Sequence, residues 1–289
     1  MARILAVGIA TLDIINVVEE YPTEDAEVRA LYQEMRRGGN ASNTLTVLCQ
    51  LGHRCSWAGT LAAEPDAQVI LSDLANHRID ASAVQMISGG KVPTSYITLS
   101  ERTGSRTIVH YRDLPEYDFE RFCEIDLNTF DWVHFEGRNI EATQLMLERL
   151  KRLRPELPCS LEVEKPRPGI EQLFPYPDLL LFSKVYARAR NFQRAEGLLE
   201  AVRRQAPKGQ LVCAWGEGGA YARDRDERVY HTPAFPPLRL VDTLGAGDVF
   251  NAGMLHGLVR NRPLELTMIE AARLAGRKCG QQGLENLVA

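Results

Sequence analysis

Short apolar runs alternate along the chain with stretches in which apolar residues recur every three or four positions. The short runs predict buried β-strands, and the recurring spacing predicts amphipathic α-helices. The predicted strands cover residues 4–9, 55–59, 132–135, 160–163, 179–182 and 211–214, and the predicted helices cover residues 41–51, 66–77, 141–153, 194–205, 246–259 and 264–280. Strands that alternate with helices are typical of α/β domains, so we predict an α/β fold with a mainly parallel sheet.

Two stretches break this alternation and predict a separate, smaller β-sheet. Residues 12–36 contain β-type patches without helical spacing, and residues 92–111 have the pattern of a hairpin with Thr103 and Gly104 at its turn. A β insertion between α/β units is typical of a lid over a site or of a dimer contact. Residues 224–228 are charged and predict the solvated tip of a second hairpin.

The composition narrows the class of protein. The chain has 289 residues, of which 45% are hydrophobic, which suits one large domain or a core with a smaller appendage. The net charge is −4, and the charged residues are distributed along the chain without a basic stripe, which argues against a nucleic-acid partner. No apolar run approaches a membrane span, and the first residues resemble a strand more than a signal peptide. The six cysteines form no metal-binding spacing, so we expect a reduced cytoplasmic protein.

Residues 242–251 carry the strongest chemical signal, because they read D-T-L-G-A-G-D-V-F-N just before a predicted helix. Gly245 and Gly247 let the backbone turn sharply and expose N–H groups at the helix N-terminus. Such a terminus carries roughly half a positive charge and binds anions. Two interpretations of Asp248 remain open. It caps the helix, or it accepts a proton from a substrate hydroxyl while the N–H groups hold a transferred phosphoryl group.

Three other features could hold a sugar or a phosphate. Asn40 and Asn43 lie three positions apart at the start of a predicted helix, so their amides share a face and suit sugar hydroxyls, although Asn40 could simply cap the helix. Asp13 follows the first predicted strand, at the edge where open α/β sheets bind ligands, although aspartate is also common in loops. Arg106, in the predicted lid, could reach a phosphate or stay solvated.

Charged and polar residues also crowd the carboxyl ends of later predicted strands. They could hold a metal ion, a nucleotide phosphate or one another. These residues are Glu162, Glu164, Lys165, Arg167, Ser183, Lys184 and Glu217. The sequence contains no G-x-x-x-x-G-K-[ST] segment, so a phosphotransferase with this sequence is not of the P-loop type.

Two of these motifs together resemble the ribokinase-like, or phosphofructokinase-B, family of carbohydrate kinases. The G-G-x-x-x-N signature matches residues 38–43, and the D-T-x-G-A-G-D signature matches residues 242–248, in the same order as in the family. Within the family, the chain is most similar to the ketohexokinases. The segments that carry this similarity are residues 37–43, 104–108, 136–139, 163–167, 213–215, 235–237 and 278–280.

The resemblance implies a three-layer α/β/α core with a mainly parallel sheet and a small β-sheet lid. It implies a single domain over residues 1–289, with the lid built from insertions at about 12–36 and 92–111, and a homodimer formed through the lid. It further implies ATP-dependent phosphorylation of a ketohexose, with D-fructose giving fructose 1-phosphate. The alternatives are a fructokinase, a ribokinase, a tagatose or sugar-acid kinase, or a non-catalytic sensor of sugar and nucleotide.

The resemblance also implies roles for individual residues. Asp248 would be the catalytic base, the N–H groups of Gly245, Ala246 and Gly247 would form the anion hole, and Arg106 would close over the phosphate. Further positions would bind the substrates: Asp13, Gly39, Asn40 and Asn43 the sugar, and Glu217, Gly219, Pro236, Phe250 and Cys279 the nucleotide. Mg²⁺ would arrive with ATP, and K⁺ would be an additional family cofactor. The family's N-x-x-E segment is replaced by residues 183–186, so no metal ligand is assigned.

Overall fold

The computed structural model describes residues 1–288, and its elements follow the predicted alternation of strands and helices. The strands, numbered in chain order, are β1 (Arg3–Val7), β2 (Thr11–Val18), β3 (Tyr32–Gly38), β4 (Arg54–Ala58), β5 (Thr60–Ala62), β6 (Ile79–Asp80), β7 (Gln85–Ile87), β8 (Thr94–Ser100), β9 (Arg106–Tyr111), β10 (Trp132–Glu136), β11 (Cys159–Val163), β12 (Leu179–Ser183), β13 (Gln210–Ala214), β14 (Ala220–Arg223) and β15 (Val229–Thr232). The α-helices are α1 (Asn40–Gln50), α2 (Pro65–Asn76), α3 (Phe119–Cys123), α4 (Ile140–Leu153), α5 (Lys184–Ala189), α6 (Ala195–Arg203), α7 (Ala246–Leu258) and α8 (Leu264–Cys279).

Nine strands form one large sheet in the order β15-β14-β13-β12-β11-β10-β1-β4-β6. The seven strands from β13 to β6 run parallel, and β14 and β15 extend one edge as an antiparallel hairpin. The mainly parallel sheet predicted from the sequence is therefore confirmed. Because β1 lies between β4 and β10, the chain winds outward in both directions from β1. Ligands of open α/β sheets bind in the crevice at such a reversal, beyond the carboxyl ends of the strands.

Helices cover both faces of the large sheet and make the core three layers thick, as expected. Ile4 and Ala6 of β1 pack in one hydrophobic cluster together with side chains of α1, α2, α7 and α8. Leu5 and Val7 point to the other face and pack with side chains of α3, α4, α5 and α6. This alternation follows from the two-residue period of a strand. No helix in the described range is long and apolar enough to cross a membrane.

A separate four-stranded sheet has the order β3-β2-β8-β9. The predicted hairpin is present as β8 and β9, with Gly104 in the turn between them. Ile15, Val17 and Ile97 form a small apolar cluster on this sheet, and Leu244 packs against it. The small sheet is thus attached to residues 242–248, the segment with the strongest chemical signal in the sequence.

Asp13 lies in a different place from the one predicted. The first strand ends at Val7, and Asp13 lies within β2 of the small sheet instead of in the loop that follows a core strand. The predicted first strand ends at residue 9 and the predicted small-sheet insertion begins at residue 12, so Asp13 falls within the predicted insertion. Only the expectation that Asp13 directly follows the first strand is corrected, because β2 begins at Thr11. Asp13 therefore belongs to the small sheet and not to the loop at the carboxyl edge of the large sheet.

Candidate active site

The N-terminus of α7 is partly exposed, with Gly247 at the surface. Gly245 precedes the helix with a φ of 83°, a left-handed conformation that glycine adopts without strain. The N–H groups of Gly245 and Gly247 have no acceptor among residues 1–288, whereas that of Ala246 donates to the carbonyl of Thr243 at 3.3 Å. Two of the three predicted anion-hole donors are therefore free, and the third would have to share its hydrogen with Thr243.

Asp248 lies in the first turn of α7 but does not cap it, because the helix start has no side-chain cap. Its side chain is 7% exposed, and Oδ2 accepts a hydrogen bond from Nδ2 of Asn43 at 2.8 Å. Burial raises the pKa of Asp248 to about 8, since the opposing effects of Asn43 and Arg37 are smaller, and Glu164 and Glu136 act in the same direction as burial. Asp248 is therefore a buried carboxylate whose pKa is close to neutral pH, as general bases require.

The two asparagines at the start of α1 contact two different buried carboxylates. Nδ2 of Asn43 donates to Asp248, and Nδ2 of Asn40 donates to Oε1 of Glu162 at 3.1 Å. Gly39, just before the helix, has a φ of 104°, and a Cβ there would lie 2.4 Å from the carbonyl oxygen of Ile9. The glycine is required because this turn brings α1 against the loop that follows β1.

Glu136 and Glu162 are paired near the carboxyl ends of the neighbouring strands β10 and β11, and both are buried. Oε1 of Glu162 also accepts from Nδ2 of Asn251 at 3.0 Å, whereas Oε2 is buried without a hydrogen-bond partner in the described structure. Burial, together with the charges of Asp248 and Glu136, raises the pKa of Glu162 well above its usual range. Glu136 accepts from the backbone N–H groups of Ala41 at 2.6 Å and Ile9 at 3.2 Å.

Of these two carboxylates, the sequence indicated only Glu162 as a site candidate. Glu136 ends an apolar run, and that position alone did not separate it from an ordinary loop residue. Ion pairing among the strand-end charges, the simplest of the alternatives, is present between Lys165 and Glu164, whose charged atoms lie 3.5 Å apart.

Asp13 is buried on the small sheet. Its Oδ1 accepts a hydrogen bond from Thr11 at 2.8 Å, and Gly38 lies so close that a Cβ there would be 2.1 Å from Oδ2. Burial raises the pKa of Asp13, although Thr11, Ser95 and the Arg36 guanidinium oppose this effect. Asp13 and the start of α1 are therefore joined through the short Gly38–Gly39 turn.

Arg106 connects the small sheet to the anion-binding loop. It lies at the start of β9, and its Nη1 donates to Oγ1 of Thr243 at 2.7 Å. Together with the packing of Leu244 against the apolar cluster of the small sheet, this contact attaches the small sheet to the loop before α7. Arg106 therefore contacts the loop that carries the N–H groups of Gly245 and Gly247, which are unpaired within the described residues.

A buried ion pair fixes the other end of the same loop. Lys278, at the end of α8, is fully buried, and its Nζ donates to the carboxylate of Asp242 at 2.9 Å and to the backbone oxygens of Asp242 and Gln281. Asp242 also accepts from the backbone N–H groups of Leu244 and Gly283. The sequence alone assigned no role to Lys278, because a lysine in a helical pattern is normally exposed to solvent.

The residues expected near the nucleotide lie around β13, α7 and the end of α8. Glu217 is exposed in a short 3₁₀ turn, and Gly219 follows with a φ of 81° where β14 begins. Pro236 is exposed, and a Cβ on Gly280 at the end of α8 would lie 2.9 Å from the Cβ of Pro237. The backbone oxygen of Cys279 accepts from the N–H of Val241 at 2.8 Å. Phe250 is packed in the core beneath these residues. No hydrogen bond links this group to Asp248 in the described range.

Within residues 1–288, no group of three or more His, Cys, Asp or Glu side chains is arranged to hold a metal ion. Ser183, which replaces the asparagine of the family's N-x-x-E segment, caps α5 by accepting from the N–H of Tyr186 at 2.9 Å. An ion that binds through one or two carboxylates, substrate phosphates and waters needs no such group, and Mg²⁺ binds in this way. The unpartnered Oε2 of Glu162 fits that requirement.

Comparison with known proteins gives matches along the whole chain. A model described as "pfkB family carbohydrate kinase" matches residues 1–288. Ketohexokinase from Mus musculus is 41% identical over 294 residues, which cover 99% of each chain. The structure of ribokinase from Giardia lamblia superposes with a TM-score of 0.82 at 17% identity, over 100% of this chain and 97% of that one. Arabidopsis thaliana ribokinase, complexed with ribose and ATP, gives a TM-score of 0.79 at 18% identity, over 98% and 94%.

We expect Lys278→Met to lower the free energy of unfolding by about 3 kcal/mol, because the largely buried Asp242 carboxylate loses its ammonium partner. Urea unfolding followed by circular dichroism measures this change. Lys208→Met removes an exposed lysine and should change stability by less than about 0.5 kcal/mol. Adding Asp242→Asn to Lys278→Met should recover part of the loss. Equal stability of Lys278→Met and Lys208→Met would show that the pair does not hold the loop.

Proposed function

Because the chain belongs to the pfkB family of carbohydrate kinases and is an ATP-dependent sugar kinase, we propose that it phosphorylates a ketohexose, with D-fructose as acceptor and fructose 1-phosphate as product. The identity of 41% to mouse ketohexokinase, over 99% of both chains, supports the choice of acceptor. The observation that carries the chemistry is the position of Asp248, a buried carboxylate at a helix N-terminus with free N–H groups.

In this proposal the phosphoryl group moves in line between two oxygens. The acceptor hydroxyl lies between Asp248 and the γ-phosphorus of ATP, and Asp248 takes its proton as the new oxygen–phosphorus bond forms. The bond from phosphorus to the bridging oxygen breaks, and ADP leaves with that electron pair. The N–H groups of Gly245 and Gly247, together with Ala246, stabilise the charge on the transferred group, which is the main catalytic contribution in phosphoryl transfer.

The sugar would be held from two sides. Asp13 approaches from the small sheet, and Gly39, Asn40 and Asn43 approach from the start of α1. Carboxylate oxygens accept from sugar hydroxyls, and amide groups both donate and accept. Arg106, already hydrogen-bonded to Thr243, would contact the reacting phosphate. Closure of the small sheet over the sugar would exclude water and limit wasteful hydrolysis of ATP.

The nucleotide would lie on the other side of the anion-binding loop. Glu217, Gly219, Pro236 and Cys279 would line its site, with Phe250 packed below. Mg²⁺ would arrive with ATP, keep several waters, and neutralise phosphate charge; Oε2 of Glu162 is the side-chain atom that could hold it. A dependence on K⁺ remains a prediction from the family resemblance.

We also propose a homodimer formed through the outer face of the small sheet. Cross-strand pairing places Met35, Ile14, Tyr96 and Val109 in one row over all four strands. Met35, Tyr96 and Val109 are 56%, 44% and 65% exposed. A contiguous exposed apolar surface of this kind is typical of an interface between proteins.

The six cysteines are all free, which supports the expected location in the reducing cytoplasm.

We expect fructose-dependent release of ADP from Mg-ATP, with phosphate on the C1 oxygen of the product. The measurement is a coupled assay for ADP with D-fructose, ribose, tagatose, fructose 6-phosphate, 2-keto-3-deoxygluconate and adenosine, followed by carbon NMR of each product. Turnover with a different acceptor would contradict the ketohexose assignment but leave the kinase mechanism. Binding of ATP and fructose without release of ADP would favour the sensor.

The dimer proposal predicts a molar mass of twice the chain mass in light scattering coupled to size-exclusion chromatography. The double substitution Met35→Glu and Val109→Glu should give monomers, because it places charges in the apolar row. Val229→Glu is the matched control, since Val229 is also exposed on a strand but lies at the edge of the large sheet. A monomeric wild-type protein, or an unchanged mass for the double variant, would rule out this interface.

A further inference from the structure

Arg37 is a buried arginine beside the site that has no part in the mechanism proposed above. It lies in β3, immediately before the Gly38–Gly39 turn, and is 7% exposed. Its guanidinium donates in several directions, as five N–H groups in a rigid fork allow. Its partners are the carboxylate of Asp73, Oγ of Ser42 at 2.7 Å, Oδ1 of Asn43 at 3.1 Å and Oγ1 of Thr46 at 2.6 Å.

The contact with Asn43 decides which way its amide faces. An amide has an accepting oxygen at one end and a donating nitrogen at the other. Arg37 can only donate, so it requires Oδ1 of Asn43, and an ionised Asp248 can only accept, so it requires Nδ2. If the amide were flipped, two donors would face each other at Arg37 and two acceptors at Asp248, leaving buried polar groups unpaired.

In this orientation, the two carboxylate oxygens of Asp248 have different roles. Oδ2 accepts from Asn43, and Oδ1 makes no hydrogen bond within the described residues. Thr44, one position after Asn43, donates to the backbone oxygen of Asp248 at 3.3 Å, so α1 also fixes the backbone that carries the carboxylate. The free oxygen is the one available for an acceptor hydroxyl.

Arg37 is itself anchored from the side opposite Asn43. Asp73 of α2 pairs with Arg37 and also contacts His77, whose Nε2 lies 2.8 Å from a carboxylate oxygen of Glu285. The hydrogen bond to Asp73 raises the pKa of His77 to about 9, so that His77 is charged at neutral pH. Asp73 therefore lies between two cations, and the guanidinium of Arg37 is held in place from behind.

The charged groups around Asp248 act against one another. Glu136, Glu162 and Glu164, from β10, β11 and the loop after β11, disfavour its ionised form, and Arg37 favours it. Arg37 thus has two effects on the proposed base, one through the amide of Asn43 and one through its charge.

We propose that Arg37 is a positioning residue for phosphoryl transfer, because it fixes the amide of Asn43 so that Nδ2 holds Oδ2 of Asp248 and Oδ1 is left for the acceptor hydroxyl. This inference rests on the proposed role of Asp248 as the base.

The test compares three variants by the pH dependence of kcat/KM for the acceptor and by kcat with both substrates saturating. Arg37→Met removes the charge and the fork, and Arg37→Lys keeps a charge opposite Asp73. Thr46→Val removes the hydrogen bond from Nη2 of Arg37 but leaves Nη1 to contact Asn43. Because the base must be ionised, kcat/KM of the wild-type enzyme should rise with pH through the pKa of free Asp248, near 8.

For Arg37→Met, we expect kcat to fall by about 10²-fold, since small displacements of reacting groups have effects of that size. The rise in kcat/KM should move to higher pH by about one unit, because a nearby opposite charge has been removed. Arg37→Lys should restore the position of the rise but only part of kcat. Thr46→Val should retain wild-type kcat and pH dependence even if its stability falls.

Arg37→Met or Arg37→Lys with kcat and pH dependence equal to those of Thr46→Val would overturn the proposal. If Arg37→Met does not fold, Arg37→Lys decides the question alone, because an unchanged kcat in that variant is incompatible with a required fork. Asp248→Asn distinguishes a failure of the proposed base from a failure of the positioning role of Arg37. A pH-dependent rise that persists in Asp248→Asn contradicts the base itself, whereas its loss, together with no effect at Arg37, contradicts only the positioning role.

Discussion

The hydrogen bond between Asn43 and Asp248 is the contact on which the arrangement of the site depends. It joins the first turn of α1 to the first turn of α7, two segments that lie 205 positions apart in the sequence. A buried carboxylate is unfavourable unless hydrogen bonds and opposite charge compensate for the lost water. Here the amide of Asn43, the guanidinium of Arg37 and the positive end of α7 supply part of that compensation, and the remaining cost of burial raises the pKa of Asp248 to about 8.

The loop before α7 contacts several elements of the fold at once. Lys278 of α8 holds Asp242 at its beginning, Arg106 of the small sheet holds Thr243, and Leu244 packs against Ile15 of the same sheet. These contacts leave the N–H groups of Gly245 and Gly247 free. Neighbouring elements therefore hold the side chains of Asp242, Thr243 and Leu244, while the backbone donors of Gly245 and Gly247 remain available to a substrate.

The sequence predicted the layers of the fold better than the details of the site. Hydrophobic periodicity reports which face of an element is buried, so six strands and six helices of the core could be located to within two residues. The short helices α3 and α5 were missed, because five or six residues are too few to show a helical period. The same signal placed residues 12–36 in a separate sheet but did not show that Asp13 lies within a strand of that sheet instead of directly after β1. Arg37 and Lys278 received no role because each has its main carboxylate partner 36 positions away, and no local pattern records that distance.

The most direct test of the central claim is the turnover number of Asp248→Asn, measured with saturating Mg-ATP and acceptor. Asparagine has nearly the same size and can still contact Asn43, but it cannot take a proton. The account predicts that kcat falls by about 10²–10⁴-fold, the usual contribution of a general base, while the fold and the binding of both substrates are retained. Turnover close to that of the wild-type enzyme would show that Asp248 is not the base.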